Sequence, residues 1–314
     1  MKKYLWLVIA LVGILVTFYG RTLFLNNSGT VEVSQVTKNN LNDPLNSKAT
    51  DQSVFPPKNK ILKIPTPTWP PFYMENDQGQ WIGAVPDIVK PVLNRMGYQV
   101  EFIGMPFARA LEEMKGGLYP ALAACVIGGG REEYILFSEP VTSIYSVLWK
   151  KNDDPRCWQT YNDLTGRTVG VSPFHYGAGF IEAAERGVFK IDEVAANAPE
   201  VIHFRKLLQG KTDMFICELS VGLYLQNKYV PEFDNADYCP TGVGLARPYS
   251  FAISRAFFKG QNGAMHAFVD AFNKELSAFA KEGKRQKVFE QYNMKIEQDK
   301  EGGILFPEGY EQSL

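Results

Sequence analysis

The sequence predicts an α/β protein of two lobes behind an N-terminal membrane helix, and three observations predict it. From residue 61 onward, short β-rich runs alternate with helical stretches, the order of an α/β fold. Once the ends are set aside, roughly 240 residues remain, about the size at which single cores stop growing, and enough for two lobes of about 120 each. At the N-terminus, Lys2 and Lys3 precede an uncharged apolar run from Tyr4 to Gly20.

That run has no polar face and stands behind a basic pair, which makes it a membrane-insertion signal and not a buried core helix. As a helix it rises about 25 Å, just under a hydrocarbon core of about 30 Å, so flanking Lys and Arg would have to snorkel. It ends in Phe18, Tyr19 and Gly20, without an A-x-A-like cleavage site, and no cysteine precedes Cys125 to carry a lipid. Residues 1–20 are therefore expected to stay as an uncleaved anchor. By the positive-inside rule everything after Arg21 lies on the periplasmic or extracytoplasmic face, tethered to the inner or cytoplasmic membrane. Residues 21–59, rich in Asn, Ser, Thr, Asp and Lys, read as a flexible tether ending in the stiff pair Pro56-Pro57.

The body opens with the strand ILKI, a loop rich in aromatics and proline, and a helix from Pro86 to Met96 stopped by Gly97. A strand YQVEFIG, a helix from Phe107 to Met114 ended by Gly116-Gly117, and a buried strand ALAACVI follow. SVLWKK begins a second set: strand RTVGVS, helix FIEAAERG, a strand or loop at EVIHF, helix RKLLQG, strand MFICE and helix VGLYLQNKY. The chain closes with strand YSFAIS, an amphipathic helix from Ala264 to Ala280 and a last helix near Lys284 to Tyr292.

Composition narrows function. The 33 Lys plus Arg against 34 Asp plus Glu give a net charge of −1 without a basic block, so there is no electrostatic footprint for nucleic acid. Three histidines and four cysteines form no CxxC or HExxH spacing, so neither a metal nor another cofactor is expected. No GxSxG and no legible Ser-His-Asp or Cys-His order points to nucleophilic catalysis.

The order WPPFYMENDQGQWIGAVPDIVKPVLNRMGYQVEF, MPFARALEEMKGG, REEYILFSEP, DLTGRTVGVS, GKTDMFICE and YSFAISR with FNKEL and KEGKRQKVFEQY resembles the family 3 solute-binding proteins of ABC importers, over about residues 61–294. The resemblance implies the two-lobed periplasmic-binding-protein fold (type II) with two hinge strands. Lobe 1 would comprise 60–143 and 248–300, lobe 2 would comprise 146–244, and 301–314 would be a C-terminal tail. The hinges would lie near Val141 to Tyr145 and Leu245 to Tyr249.

The same resemblance implies site residues. Arg131, after Gly128-Gly129-Gly130 and six residues before Phe137-Ser138, would grip a ligand α-carboxylate. A guanidinium fork suits a carboxylate, and Gly128 and Gly129 let bare backbone N–H groups approach the same anion. The family's hydroxyls just before the arginine are replaced by Cys125, Val126 and Gly128. Glu218 stands where the family places the aspartate that binds the α-ammonium, and it equally suits the N-terminus of the following helix. Trp69 and Phe72 are the aromatics expected to pack on the ligand, unless either belongs to the core. Ser172 and His175 would line the cleft beside a helix N-terminus, and Asp87 is expected to serve a helix dipole. By the family pattern the segments bearing Cys157 and Cys239 run side by side in opposite directions. A Cys157–Cys239 disulfide is therefore expected, closing a loop of about 80 residues, while Cys125 and Cys217 stay reduced and buried.

The function implied is that of an extracytoplasmic solute-binding protein, not an enzyme. It would capture a small amino acid or related carboxylate between the lobes for an ABC permease. The alternatives are a dehydratase-like enzyme or a ligand-sensing module on the same scaffold.

Overall fold

The computed structural model describes residue 56 and residues 61–173, 178–196, 198–244 and 246–306. The apolar run Tyr4 to Gly20 and the tether, apart from Pro56, lie outside the described residues. Among the described residues no helix is long and apolar enough to cross a membrane.

β1 (Ile61–Thr66) leads into the proline-rich loop, which carries a short hairpin, β2 (Met74–Glu75) and β3 (Trp81–Ile82), and then into α1 (Ala84–Arg95). β4 (Gln99–Gly104), α2 (Phe107–Lys115) and β5 (Ala121–Val126) follow, and a 3-10 turn at Arg131–Glu133 opens β6 (Ile135–Ile144). A single residue, Tyr145, separates β6 from β7 (Ser146–Lys151). Next come β8 (Thr168–Val171), α3 (Ala178–Glu185), β9 (Lys190–Glu193), α4 (Pro199–Leu208), β10 (Met214–Glu218), α5 (Leu219–Lys228) and β11 (Ala236–Gly242). The chain returns through β12 (Arg247–Ser254) to α6 (Asn262–Lys281) and α7 (Lys284–Gln291).

Two groups of strands result. In the first, β1 pairs with β4 in parallel, and β5, β12 and β6 form an antiparallel sheet in that order. In the second, five strands lie in the order β11-β7-β10-β8-β9, parallel from β10 through β9 and antiparallel on either side of β7. The chain passes between the groups twice, at Tyr145 and between Gly242 and Arg247.

Helices are held by their apolar faces. α1 buries Ala84, Val85, Ile88, Val89, Val92 and Leu93, the i, i+3, i+4 stripe of an amphipathic helix, and α6 buries Met265, Phe268, Val269, Phe272, Leu276 and Phe279. Both stripes belong to a continuous core with Ile64, Phe251 and Phe289, none of which is exposed. At the start of the body Tyr98 Oη donates to the carbonyl of Pro56 at 3.0 Å, which pins the end of the tether.

Several elements differ from the sequence reading. EVIHF is no strand: Pro199 at the first turn starts α4, which runs through it and RKLL together and is capped at Gln209. Its β-branched pair Val201-Ile202 imitates a strand, but Val201, Phe204 and Leu208 fall at helical spacing and pack against the core. KIDE, which the sequence reading left unassigned between FIEAAERG and EVIHF, is β9 at the sheet edge, parallel to β8. Residues 301–306 are not a free tail. Leu305 N donates to Glu297 O at 2.9 Å, and the buried Arg285 guanidinium donates to the carbonyl of Gly302.

Candidate functional site

The strand ALAACV is apolar throughout, so β5 is buried until it runs out at Val126. Gly128, Gly129 and Gly130 then take φ of 112°, 67° and 73°, three successive positive values that side chains other than glycine adopt only with strain. This turn folds Arg131 back over the strand end, where Nη1 donates to Gly128 O at 2.9 Å and Val126 O at 3.4 Å. Among the described residues nothing else accepts from the guanidinium and no carboxylate pairs with it, so Nη2 and Nε are available to an anion. The N–H groups of Gly128 and Gly129 likewise have no partner among the described residues.

Tyr249 joins this turn to the aromatic loop. It lies opposite Val126 on one side of β12 and Thr142 on the other. Its ring is edge-on to Trp69 at 6.1 Å and to Phe72 at 5.8 Å, and Trp69 stacks on Phe72 at 4.7 Å. Phe72 has no exposed surface, so it is a core residue that props Trp69 and reaches no ligand here, whereas Trp69 keeps part of its surface. Burial raises the Tyr249 and Tyr73 hydroxyls well above the ordinary tyrosine value and the Cys125 thiol to about 11, so this cluster is uncharged at neutral pH.

Glu218 ends β10 opposite Ser146 of β7, directly across the junction from β6. Its carboxylate caps α5, accepting from Val221 N at 2.8 Å, and its other oxygen accepts from Tyr145 N at 3.4 Å. Burial outweighs these hydrogen bonds and pushes the carboxyl up to about 7, so near neutral pH it can exist in either form. The helix-capping role is thus present, and Ser220 adds a backbone and a hydroxyl hydrogen bond to the same carboxylate. Ser172 follows β8. Extending the β8–β10 register, in which Phe215 faces Gly170, brings it beside Cys217, one residue before Glu218. Ser172 is buried and hydrogen-bonded or otherwise engaged. His175 lies outside the described residues.

Trp69, Arg131, Ser172 and Glu218 all stand just past or at the carboxyl ends of strands, the place where α/β sheets bind ligands. Sequence reasoning passed over three residues that the fold brings to the same junction: Tyr145, Arg247 and Tyr249. Period-two alternation in β12 puts Arg247 and Tyr249 on one face and was the available signal. Asp87 stays apart from this site, in the first turn of α1, where it accepts from Tyr292 Oη at 2.6 Å while that hydroxyl accepts from Gly83 N. A separate cavity of about 560 Å³, lined by Thr68, Pro70, Tyr224, Lys228 and Tyr292 among others, holds none of the expected ligand residues.

The structure joins Cys157 and Cys239 by a disulfide with Cα atoms 5.4 Å apart, beside a Trp158 Nε1 to Thr241 O hydrogen bond of 3.2 Å. Cys125 and Cys217 are free and buried.

Residues 63–295 match the profile of the bacterial extracellular solute-binding proteins, family 3. The chain belongs to that family. A family 3 member's fold also accounts for its likeness to known proteins. It is 23% identical over 234 residues to the "Arginine-binding periplasmic protein" of Mannheimia haemolytica, covering 72% of this chain and 88% of that one. Among solved structures it is similar to an ancestral arginine-binding protein bound to arginine (TM-score 0.56, 22% identity, 74% of this chain and 97% of that one). It is also similar to substrate-binding domain 2 of Lactococcus lactis GlnP in the open conformation (TM-score 0.58, 18% identity, 75% and 96%). A third similar structure is the ancestral amino acid-binding protein AncCDT-1, a precursor of cyclohexadienyl dehydratase (TM-score 0.54, 20% identity, 74% and 94%). At such identities the structural likeness establishes the shared fold. As a family 3 protein the chain is an extracellular solute-binding protein, and the identity of its solute rests on its own residues.

Proposed function

We propose that this protein captures a small amino acid or related carboxylate at the junction of its two strand groups and delivers it, unaltered, to an ABC permease. One observation carries the reading. A guanidinium with free donors, Arg131, and a buried carboxylate, Glu218, flank the same chain crossing from opposite strand groups. Arg131 would take the α-carboxylate with help from the Gly128 and Gly129 N–H groups, Glu218 the α-ammonium, and Trp69 the side chain, with Ser172 on the second group's side. A ligand held from both groups binds their closed arrangement better than their open one, and that differential affinity is what a transporter can sense.

The relatives named as amino-acid-binding proteins support the ligand class. The apolar run Tyr4 to Gly20 supports retention at the extracytoplasmic membrane face. A dehydratase-like enzyme is less favoured, because the Glu218 carboxylate is tied up by the backbone amides of Tyr145, Ser220 and Val221 and by the Ser220 hydroxyl.

The test is affinity for amino acids in two variants. Arg131→Ala should cost on the order of 2–5 kcal/mol, roughly thirtyfold or more, by leaving a desolvated carboxylate unpaired. Glu218→Gln should weaken zwitterions more than simple carboxylates. Unchanged affinity in both variants would refute the assignment, and a chemically altered solute after incubation would favour the enzyme.

A further inference from the structure

We propose that Arg247 is a specificity-determining residue that acts with Arg131 to select solutes bearing two carboxylates, such as an acidic amino acid or a plain dicarboxylate. The inference rests on the capture site proposed above and names its ligand class.

The placement comes from strand register. Tyr249 faces Val126 and Ser250 faces Cys125 along β5, so continuing that antiparallel register by two residues sets Arg247 opposite Gly128. Gly128 is the residue whose carbonyl accepts from Arg131 Nη1. On its other side Arg247 faces Ile144, one residue before Tyr145, whose N–H reaches Glu218. Alternation places Arg247 on the Tyr249 face of β12, and the Tyr249 ring lies edge-on to Trp69. Arg247 therefore stands amid the four groups already assigned to the ligand: Arg131, Glu218, Trp69 and the glycine turn.

Its electrostatic situation is unusual for a surface arginine. The side chain is exposed, and among the described residues it has neither a carboxylate partner nor a hydrogen bond. Surrounding protein atoms, and after them the charge of Arg131, push its proton affinity down. The charge of Arg131 thus reaches Arg247, and among the described residues neither has a carboxylate partner, an arrangement that repels itself until an anion is bound. Arg167, by contrast, is paired with Asp154 at 3.0 Å.

The chemistry that satisfies both forks is two carboxylates a few bonds apart, each bound in bidentate fashion. Charge counting agrees. Arg131, Arg247 and ionised Glu218 sum to one positive charge, and an acidic amino acid carries one negative charge. A cationic amino acid would place like charge against Arg247, which disfavours it. The arginine-binding relatives would then differ from this chain in solute.

The test is calorimetric titration of the full-length chain with L-glutamate, L-aspartate, succinate, glutarate, L-glutamine and L-arginine. Dicarboxylates should bind most tightly. Preference for glutamate or aspartate over succinate and glutarate would mark an acidic amino acid, and the reverse a plain dicarboxylate. Arg247→Gln, at an exposed side chain without structural partners, should weaken dicarboxylates roughly thirtyfold while changing L-glutamine less than about threefold. Tighter wild-type binding of L-arginine or L-glutamine than of every dicarboxylate would overturn the role of Arg247 and leave solute capture standing. So would an Arg247→Gln variant that keeps its dicarboxylate affinity or loses affinity for all solutes equally. Binding of none of the six would overturn the capture reading as well.

Discussion

Glu218 caps α5 and, in the proposed site, would also meet the ligand. It is 7% exposed, and its carboxyl is pushed from an ordinary 4.5 up to about 7. Between those values the folded chain holds a proton that the unfolded chain has released, so its contribution to stability is complete below pH 4.5 and is lost as pH rises through about 7. Chemical denaturation at pH 5 and pH 8 should therefore find Glu218→Gln more stable relative to wild type at pH 8 than at pH 5, by on the order of 2–3 kcal/mol. An equal difference at both values would contradict this. Because an ammonium needs the ionised form, affinity for zwitterions should also rise with pH through this range, and affinity for plain carboxylates should not. Trp69 and Phe72 separate the other way. Phe72→Ala opens a cavity beneath the loop and should cost about 3–5 kcal/mol in a melt, whereas Trp69→Ala should mainly weaken the solute. At this scale the family resemblance of the Gly-Gly-Gly-Arg and MFICE segments is what singled out Arg131 and Glu218 as proposed ligand residues. It could not separate Trp69 from Phe72, because two aromatics three residues apart look alike until one is seen beneath the other.

Among the elements, α1 and α6 were legible because their apolar stripes keep helical spacing over many turns. EVIHF and KIDE were not. The first is a helix whose β-branched residues dominate a five-residue window, and the second is an edge strand with polar residues on its open face. Arg247 escaped notice for a related reason: its importance lies in the register of β12 against β5, which no local pattern reveals. The β7–β11 pair carries the clearest prediction at this level. Lys151 faces Ala236 at the outer end of the pair, and Cys157 meets Cys239 across a separation of 82 residues. Replacing both cysteines with serine should lower stability by about 2–5 kcal/mol. Peptide mapping without reductant should recover residues 157 and 239 in one linked fragment; unlinked fragments would exclude the bridge in solution. Cys125, with its thiol pushed up to about 11, and the enclosed Cys217 should resist alkylation until the chain unfolds.

For the whole molecule, the family 3 fold and the two chain crossings describe a solute-binding protein, and we propose that the N-terminal apolar run tethers it to the membrane. Intact peptides from the N-terminus should be found in the membrane fraction, and a soluble mature chain beginning near Arg21 or Thr22 would overturn the anchor. The tether matters because it would hold the binding site near a permease at high effective concentration whatever the affinity between them. All of this depends on one claim, that a small carboxylate-bearing solute is held between Arg131 and Glu218. Native mass spectrometry of the full-length chain, offered an equimolar mixture of amino acids and dicarboxylates, tests it most directly. The expected result is a one-to-one complex whose added mass equals a single unmodified solute, with that complex lost in Arg131→Ala. No complex in the wild type, or one of equal intensity in the variant, would contradict it.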